Sequence, residues 1–200
     1  MIDGDSTQTS RSRLLAAGKH LFSRFGYEQT STSAIARDAG TSESQLVRYF
    51  GGKSGLLEAI FNESWSSLNE DIRAHIGESE HGRDAIRRVV GLVIEAFNRD
   101  HEMAFLFLFE GRRVRGQEVT LSQGFRSFYD LIHQLIHRGQ KDGSFRRDVN
   151  EAALASAMLG CAEGMIRERL IAERTGQANP FDDEMLQRVF SSMLDGLAPA

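Results

Sequence analysis

Residues 30–53 read TSTSAIARDAGTSESQLVRYFGGK, and the fold turns on how this stretch divides. Ser31 is placed to cap a helix of about two turns, and Gly40 to stop it. A second helix follows from about Thr41 to Phe50, with Ser42 and Gln45 in the S-x-x-Q spacing of a capping box. Ile35, Ala36, Ala39, Leu46 and Phe50 give the two helices a shared apolar seam. Gly51-Gly52 ends the second helix, and Lys53-Ser54-Gly55 opens another. Two short helices joined by a glycine-containing turn, the second capped by serine, form a helix-turn-helix pattern. A plain helical hairpin shares much of that pattern, so the flanking sequence has to decide.

Upstream, Leu14, Gly18, Leu21, Phe22 and Phe25 recur at helical spacing and predict a helix from about Ser10 to Phe25, with Gly26 as its C-cap. Residues 1–9 lack this periodicity and are expected to form a disordered arm. Downstream, Leu57, Ile60, Phe61, Trp65, Leu68 and Ile72 predict a long helix from Lys53 that fades near residues 75–77. Residues 77–82 read as a polar linker. Further helices are predicted over 83–100, 101–115, 121–139, 150–175 and 182–197, with turns at 141–144 and 176–180. The chain has 200 residues and only 2 prolines, so little interrupts helix formation. No period-2 strand pattern occurs. The expected fold is all-α, about nine helices, with a three-helix helix-turn-helix domain over 10–58 and a helical domain over 59–200.

Charge does not announce a partner. The net charge is −4. Residues 1–60 hold seven Lys/Arg against six Asp/Glu, a net of +1. Nucleic-acid binding on so small an excess has to come from placed charges, backbone amides and avidity. The single cysteine, Cys161, excludes an internal disulfide. No stretch approaches the ~20 apolar residues of a membrane span. The first ten residues are polar and acidic, unlike a signal peptide. A cytoplasmic protein with no membrane partner is expected.

The order of residues around the helix-turn-helix is more specific than the motif itself. Phe25-Gly26-Tyr27, Thr30-Ser31, Ile35-Ala36, Ala39-Gly40, Ser42, Leu46, Tyr49-Phe50, Lys53 and Leu56-Leu57 stand at set spacing. Over about residues 11–60 the chain resembles the TetR/AcrR family of bacterial transcriptional regulators. The resemblance implies a regulator, most commonly a repressor, that binds a double-stranded DNA operator as a homodimer and answers to a small molecule bound in its C-terminal domain. Many members have Gly at position 44 and Tyr at 47, where this chain has Ser44 and Val47.

The expected reading helix spans about residues 42–49 and is short enough to enter a major groove. Ser44, Gln45 and Arg48 are candidate base readers, since Gln pairs with adenine and Arg with guanine through two hydrogen bonds. Gln45 serves equally as the capping-box partner of Ser42. Val47 either touches a thymine methyl or packs inward. Tyr49 and Lys53 are candidate phosphate contacts, as are Thr30, Ser31 and Thr32 at the preceding helix start. Phe50 is read as a core anchor. Arg11 and Arg13 lie either near the DNA backbone or in a solvated arm.

In the second domain, Ala153, Ala157, Gly160, Cys161, Gly164 and Met165 line one face of the helix over 150–175. Leu186, Val189, Phe190, Met193, Leu194 and Leu197 line the last helix. Paired about a two-fold axis, these helices would make a four-helix dimer interface; the alternative is an intramolecular core. Phe105, Phe109, Phe125, Phe128, Tyr129, His133, Met158, Cys161 and Met165 are candidate walls of an apolar ligand pocket, or equally of an ordinary core. Arg112 and Arg113 face either a ligand carboxylate or solvent. His133 and His137 have metal-compatible i, i+4 spacing but no third ligand nearby in sequence. No cofactor, metal or catalytic residue is expected. Two other readings stay open: a DNA-binding dimer governed by a protein partner or by abundance, and a helical metal-dependent enzyme built on His133 and His137.

Overall fold

A computed structural model describes residues 9–78, 80–111, 114–115, 118–119 and 123–199. Among these residues the chain forms nine α-helices: α1 Ser10–Phe25, α2 Thr32–Asp38, α3 Glu43–Phe50, α4 Lys53–His75, α5 Gly82–Arg99, α6 His101–Phe105, α7 Gln123–Asp142, α8 Glu151–Thr175 and α9 Asp183–Asp195. The all-α expectation holds, with two local differences. The helix expected over 101–115 changes at Leu106 into a π-helical turn ending at Glu110. An antiparallel ladder then pairs Val114–Arg115 with Glu118–Val119. At two residues a strand, it is too short to show alternation in sequence. Residues 112–113 and 121–122, including the two arginines singled out above, lie outside the described residues.

Helix boundaries follow local chemistry. The Thr9, Ser31, Ser42, Asp100, Asn150 and Asp182 side chains each accept a hydrogen bond from an N–H in the following helical turn. These bonds satisfy donors the helix cannot pair internally. Thr9 therefore belongs to the ordered cap of α1 rather than to a loose arm. Gly51 ends α3 with φ of 71°, a left-handed conformation open to glycine at little cost.

The first three helices are not independent of the rest. α1 packs on α4 and on α6, and α4 continues without interruption from α3's neighbour into contact with α5 and α7. Buried residues from Leu14 to Leu194 form one connected core. α4 thus passes residue 58 as a rigid strut. At its centre Trp65 stacks flat on Phe107 of the π-helical turn, centroids 4.2 Å apart. α7 crosses there at Gly124, where a Cβ would stand 2.2 Å from that of Trp65. Buried Asn69, one helical turn on from Trp65, donates to the Gly124 carbonyl at 2.9 Å.

Candidate nucleic-acid interface and ligand cleft

α3 is anchored on one face and presents the other. Leu46 is fully buried and Phe50 packs partly against the core, as expected of an anchor. Ser42, Glu43, Ser44, Val47, Arg48 and Tyr49 are exposed. Val47 is 55% exposed, which rules out the inward-packing alternative. Arg48 lies over the Tyr49 ring at 4.8 Å and donates to its hydroxyl at 3.0 Å. In the free chain the guanidinium is thus held against the neighbouring ring.

The capping box is only half made. Ser42 Oγ accepts from the Gln45 N–H at 3.4 Å and lies 2.8 Å from Ser44 Oγ. The Gln45 Oε1 is buried without a hydrogen-bond partner, so the reciprocal bond to the Ser42 N–H is absent. An amide oxygen left unpaired in the free chain carries an energetic cost that a ligand donor would remove. Thr32 Oγ1 donates to Glu43 at 2.6 Å and ties the start of α2 to the start of α3. Ser31 accepts from the Ala34 N–H at 3.1 Å and remains exposed.

Two expectations here need correction. Thr30 is buried, and its hydroxyl lies 2.8 Å from the Gly26 carbonyl, closing the corner between α1 and α2 instead of facing outward. Arg11 and Arg13 are not in a solvated arm. Arg11 pairs with Glu63 at 2.6 Å above the Phe50 ring, and Arg13 Nε donates to the Ala39 carbonyl at the end of α2 at 2.9 Å. Lys53 has a double setting: its ammonium donates to the Tyr27 and Thr30 carbonyls at 2.9 and 3.0 Å, over the Tyr27 ring. It sits in the first turn of α4, which has no side-chain cap and no acidic residue.

The pocket expectation fares unevenly. An apolar slot of about 70 Å³ runs between α5 and α8, lined by Phe125, Phe128 and Met158 as expected. The other walls were not anticipated: Trp65, Phe107 and a stripe of α5 comprising Ile86, Val89, Val90, Val93, Ile94 and Phe97. That stripe was visible as helical periodicity, but nothing in sequence separates a cavity wall from a core face. Phe105 and Phe109 instead stack on each other outside the slot at 4.5 Å, with the Arg174 guanidinium 3.5 Å above Phe105. Burial pushes that guanidinium below its ordinary pKa, against the raising influence of Glu173. Tyr129 faces a separate open recess with Ser156 and Gly160. Its ring lies 4.6 Å from that of His133. His133, Cys161 and Met165 are half-buried and do not line the slot. His137 is engaged by Glu151 at 2.8 Å.

The last two helices split between core and surface. Leu186, Phe190 and Leu194 of α9 are buried within the chain and belong to its own core. Ala153, Ala157, Gly160 and Gly164 of α8 are exposed, as are Ile171, Met185 and Val189. Among the described residues no helix is long and apolar enough to cross a membrane.

The two halves are joined by polar contacts. Lys19 and His20 of α1 pair with Asp100 and Glu102 at the start of α6. The buried Glu110, at the end of the π-helical turn, accepts from the Tyr27 N–H at 3.3 Å. Arg174 of α8 reaches the Ser23 carbonyl of α1.

Comparison with known proteins agrees with this layout. A sequence profile described as "Bacterial regulatory proteins, tetR family" matches residues 14–60. A second, "Tetracyclin repressor-like, C-terminal domain", matches residues 83–196. The HTH-type transcriptional regulator UidR of Escherichia coli K12 is 25% identical over 171 residues, 84% of this chain and 86% of that protein. The fatty acid metabolism regulator protein of Bacillus subtilis is 20% identical over 148 residues, 74% and 76% of the two chains. The solved structure of transcriptional regulator FadR from Bacillus subtilis in complex with stearoyl-CoA superimposes with a TM-score of 0.81 at 16% identity, covering 94% of this chain and 98% of that one.

Proposed function

The chain belongs to the tetR family of bacterial regulatory proteins, and we propose that it is a cytoplasmic homodimeric repressor that leaves a palindromic operator when an apolar small molecule enters the slot between α5 and α8. The observation that carries the DNA half is α3 itself. Leu46 fixes the helix from below while Ser44, Val47 and Arg48 stand clear on the far side. Arg48 supplies bidentate reading of guanine, Val47 an apolar contact for a thymine methyl, and Gln45 reads adenine once its buried amide oxygen turns outward. Tyr49, Ser31, Thr32 and the uncapped first turn of α4 with Lys53 hold phosphates.

One α3 offers too few contacts for tight binding, so two must act together. The exposed small residues of α8 allow close approach of a second copy, and Val189 and Met185 of α9 extend the apolar area. Half-sites then lie about one helical turn of DNA apart, or a multiple.

The slot is smaller than the roughly 300–1,000 Å³ of ordinary ligand pockets. A ligand must therefore push its walls apart. Phe107 and Trp65 are among those walls, on the π-helical turn and α4 respectively. Through Glu110 and Tyr27 the turn grips the end of α1, and α4 itself carries Lys53 beside α3. Widening the slot thus changes how the readers are held. The differential affinity needed is modest, ~1–3 kcal/mol. A neighbour of the same fold was solved with stearoyl-CoA, which supports an aliphatic ligand here. The test is selection of bound DNA from a random pool. Enrichment of an inverted repeat is the expected result; recovery of unrelated sequences overturns the reading.

A further inference from the structure

The slot does not end at its apolar walls. Ile94, Phe97 and Ile166 line it on one side and, on the other, line a recess of about 290 Å³ that is more polar than the slot. α5 and α8 bound both spaces and carry matching gradients at helical spacing. Along α5 the lining runs from Ile86, Val89 and Val93 to Phe97 and Asn98, with His101 just beyond. Along α8 it runs from Met158 and Ala162 to Ile166, then Arg169, Glu173 and Gln177. From Met158 to Ile166 α8 rises by eight residue steps, or about 12 Å, with the Glu163 side chain also in the lining. Both helices therefore turn from apolar to polar in the same direction along one cleft.

The chemistry of the polar end is distinctive. Its arginine is already engaged within the chain. Asp183, at the start of α9, accepts from Arg169 and from Asn98. His101 pairs with Glu173 at 2.9 Å. The remaining polar lining, Gln177 and Asn179, is neutral amide. An anionic head would meet a wall whose arginine is engaged and which carries the Glu173 carboxylate, and a cationic head would have to compete with His101 for that carboxylate. A neutral head with hydroxyl or carbonyl groups would meet amides able to donate and accept.

We propose that slot and recess are the two ends of one ligand site, and that it takes an amphipathic molecule with a slender apolar body and an uncharged, hydrogen-bonding head. This rests on the slot being the effector site, and the test separates the two ideas. Nile Red, a neutral apolar dye, reports occupancy of the slot in the full-length protein. Monodecanoylglycerol, decanoate and decyltrimethylammonium share a chain length and differ in the head; each is titrated below its micelle concentration. Monodecanoylglycerol is expected to displace the dye at about tenfold lower concentration than either ion, the gain from one or two neutral hydrogen bonds. Replacing Gln177 and Asn179 together by Ala should remove that preference and leave dye affinity unchanged. Equal displacement by all three, or preference for an ion, overturns the head-group assignment and keeps the slot. An unaltered preference in the double variant also overturns it. Failure of the dye and of every amphiphile to bind removes the slot reading as well.

Discussion

α3 and α8 both carry exposed faces, yet they hold information differently. α3 has eight residues, is pinned by Leu46, and is bounded by Ser42 and Gly51. α8 has 25 residues, and its faces serve the slot, the recess and the exposed small-residue strip. In α3 nearly every residue type is dictated by local geometry: a cap, an anchor, a left-handed stop, an outward reader. In α8 many apolar types would do at each position. Function concentrated in a few constrained residues is readable; function spread over permissive walls is not.

The contrast is broken most severely at the outer face of α8. Gly160→Arg places a charge on an exposed position, so the chain should still fold. If the face joins two copies, light scattering should find a monomer, and operator affinity should fall on the order of a hundredfold through lost avidity. A dimer of unchanged affinity would move the interface elsewhere.

How far the sequence reaches follows the same division. Ser31 and Ser42 as caps, Gly26 and Gly51 as stops and Leu46 as part of the apolar seam were legible, because each answers a local demand of the chain. The inward turn of Thr30 was not legible: a hydroxyl beside a helix start looks alike whether it faces DNA or the Gly26 carbonyl. The slot was half legible. Phe125, Phe128 and Met158 line it, but Phe105 and Phe109 lie outside on the far face of α6 and its π-helical continuation. Which side of a helix meets a void depends on how α4, α5 and α7 cross, and that is settled by non-local packing such as Gly124 against Trp65.

Within α3, neighbouring residues should behave oppositely. Leu46→Ala should cost about 2–5 kcal/mol of stability through the cavity it leaves, read by chemical denaturation. Val47→Ala should leave stability within about 0.5 kcal/mol, because its side chain is more than half exposed in the free chain, while changing operator preference. Similar destabilisation by both would mean that α3 is packed on both sides.

Lys53 sharpens the comparison with a smaller effect, since it belongs to both categories. Lys53→Gln should lower stability by roughly 1–3 kcal/mol as the Tyr27 and Thr30 carbonyls lose their charged donor. It should also reduce the salt dependence of DNA binding by about one unit of slope. Lost stability with an unchanged slope would leave Lys53 a purely structural clamp.

The most direct test of α3 as the reader is to repeat DNA selection with Arg48→Ala beside the unaltered chain. The account predicts that the same inverted repeat is recovered, with preference relaxed at one symmetric pair of positions and affinity lower by ~1–3 kcal/mol. An identical preference at every position would contradict it.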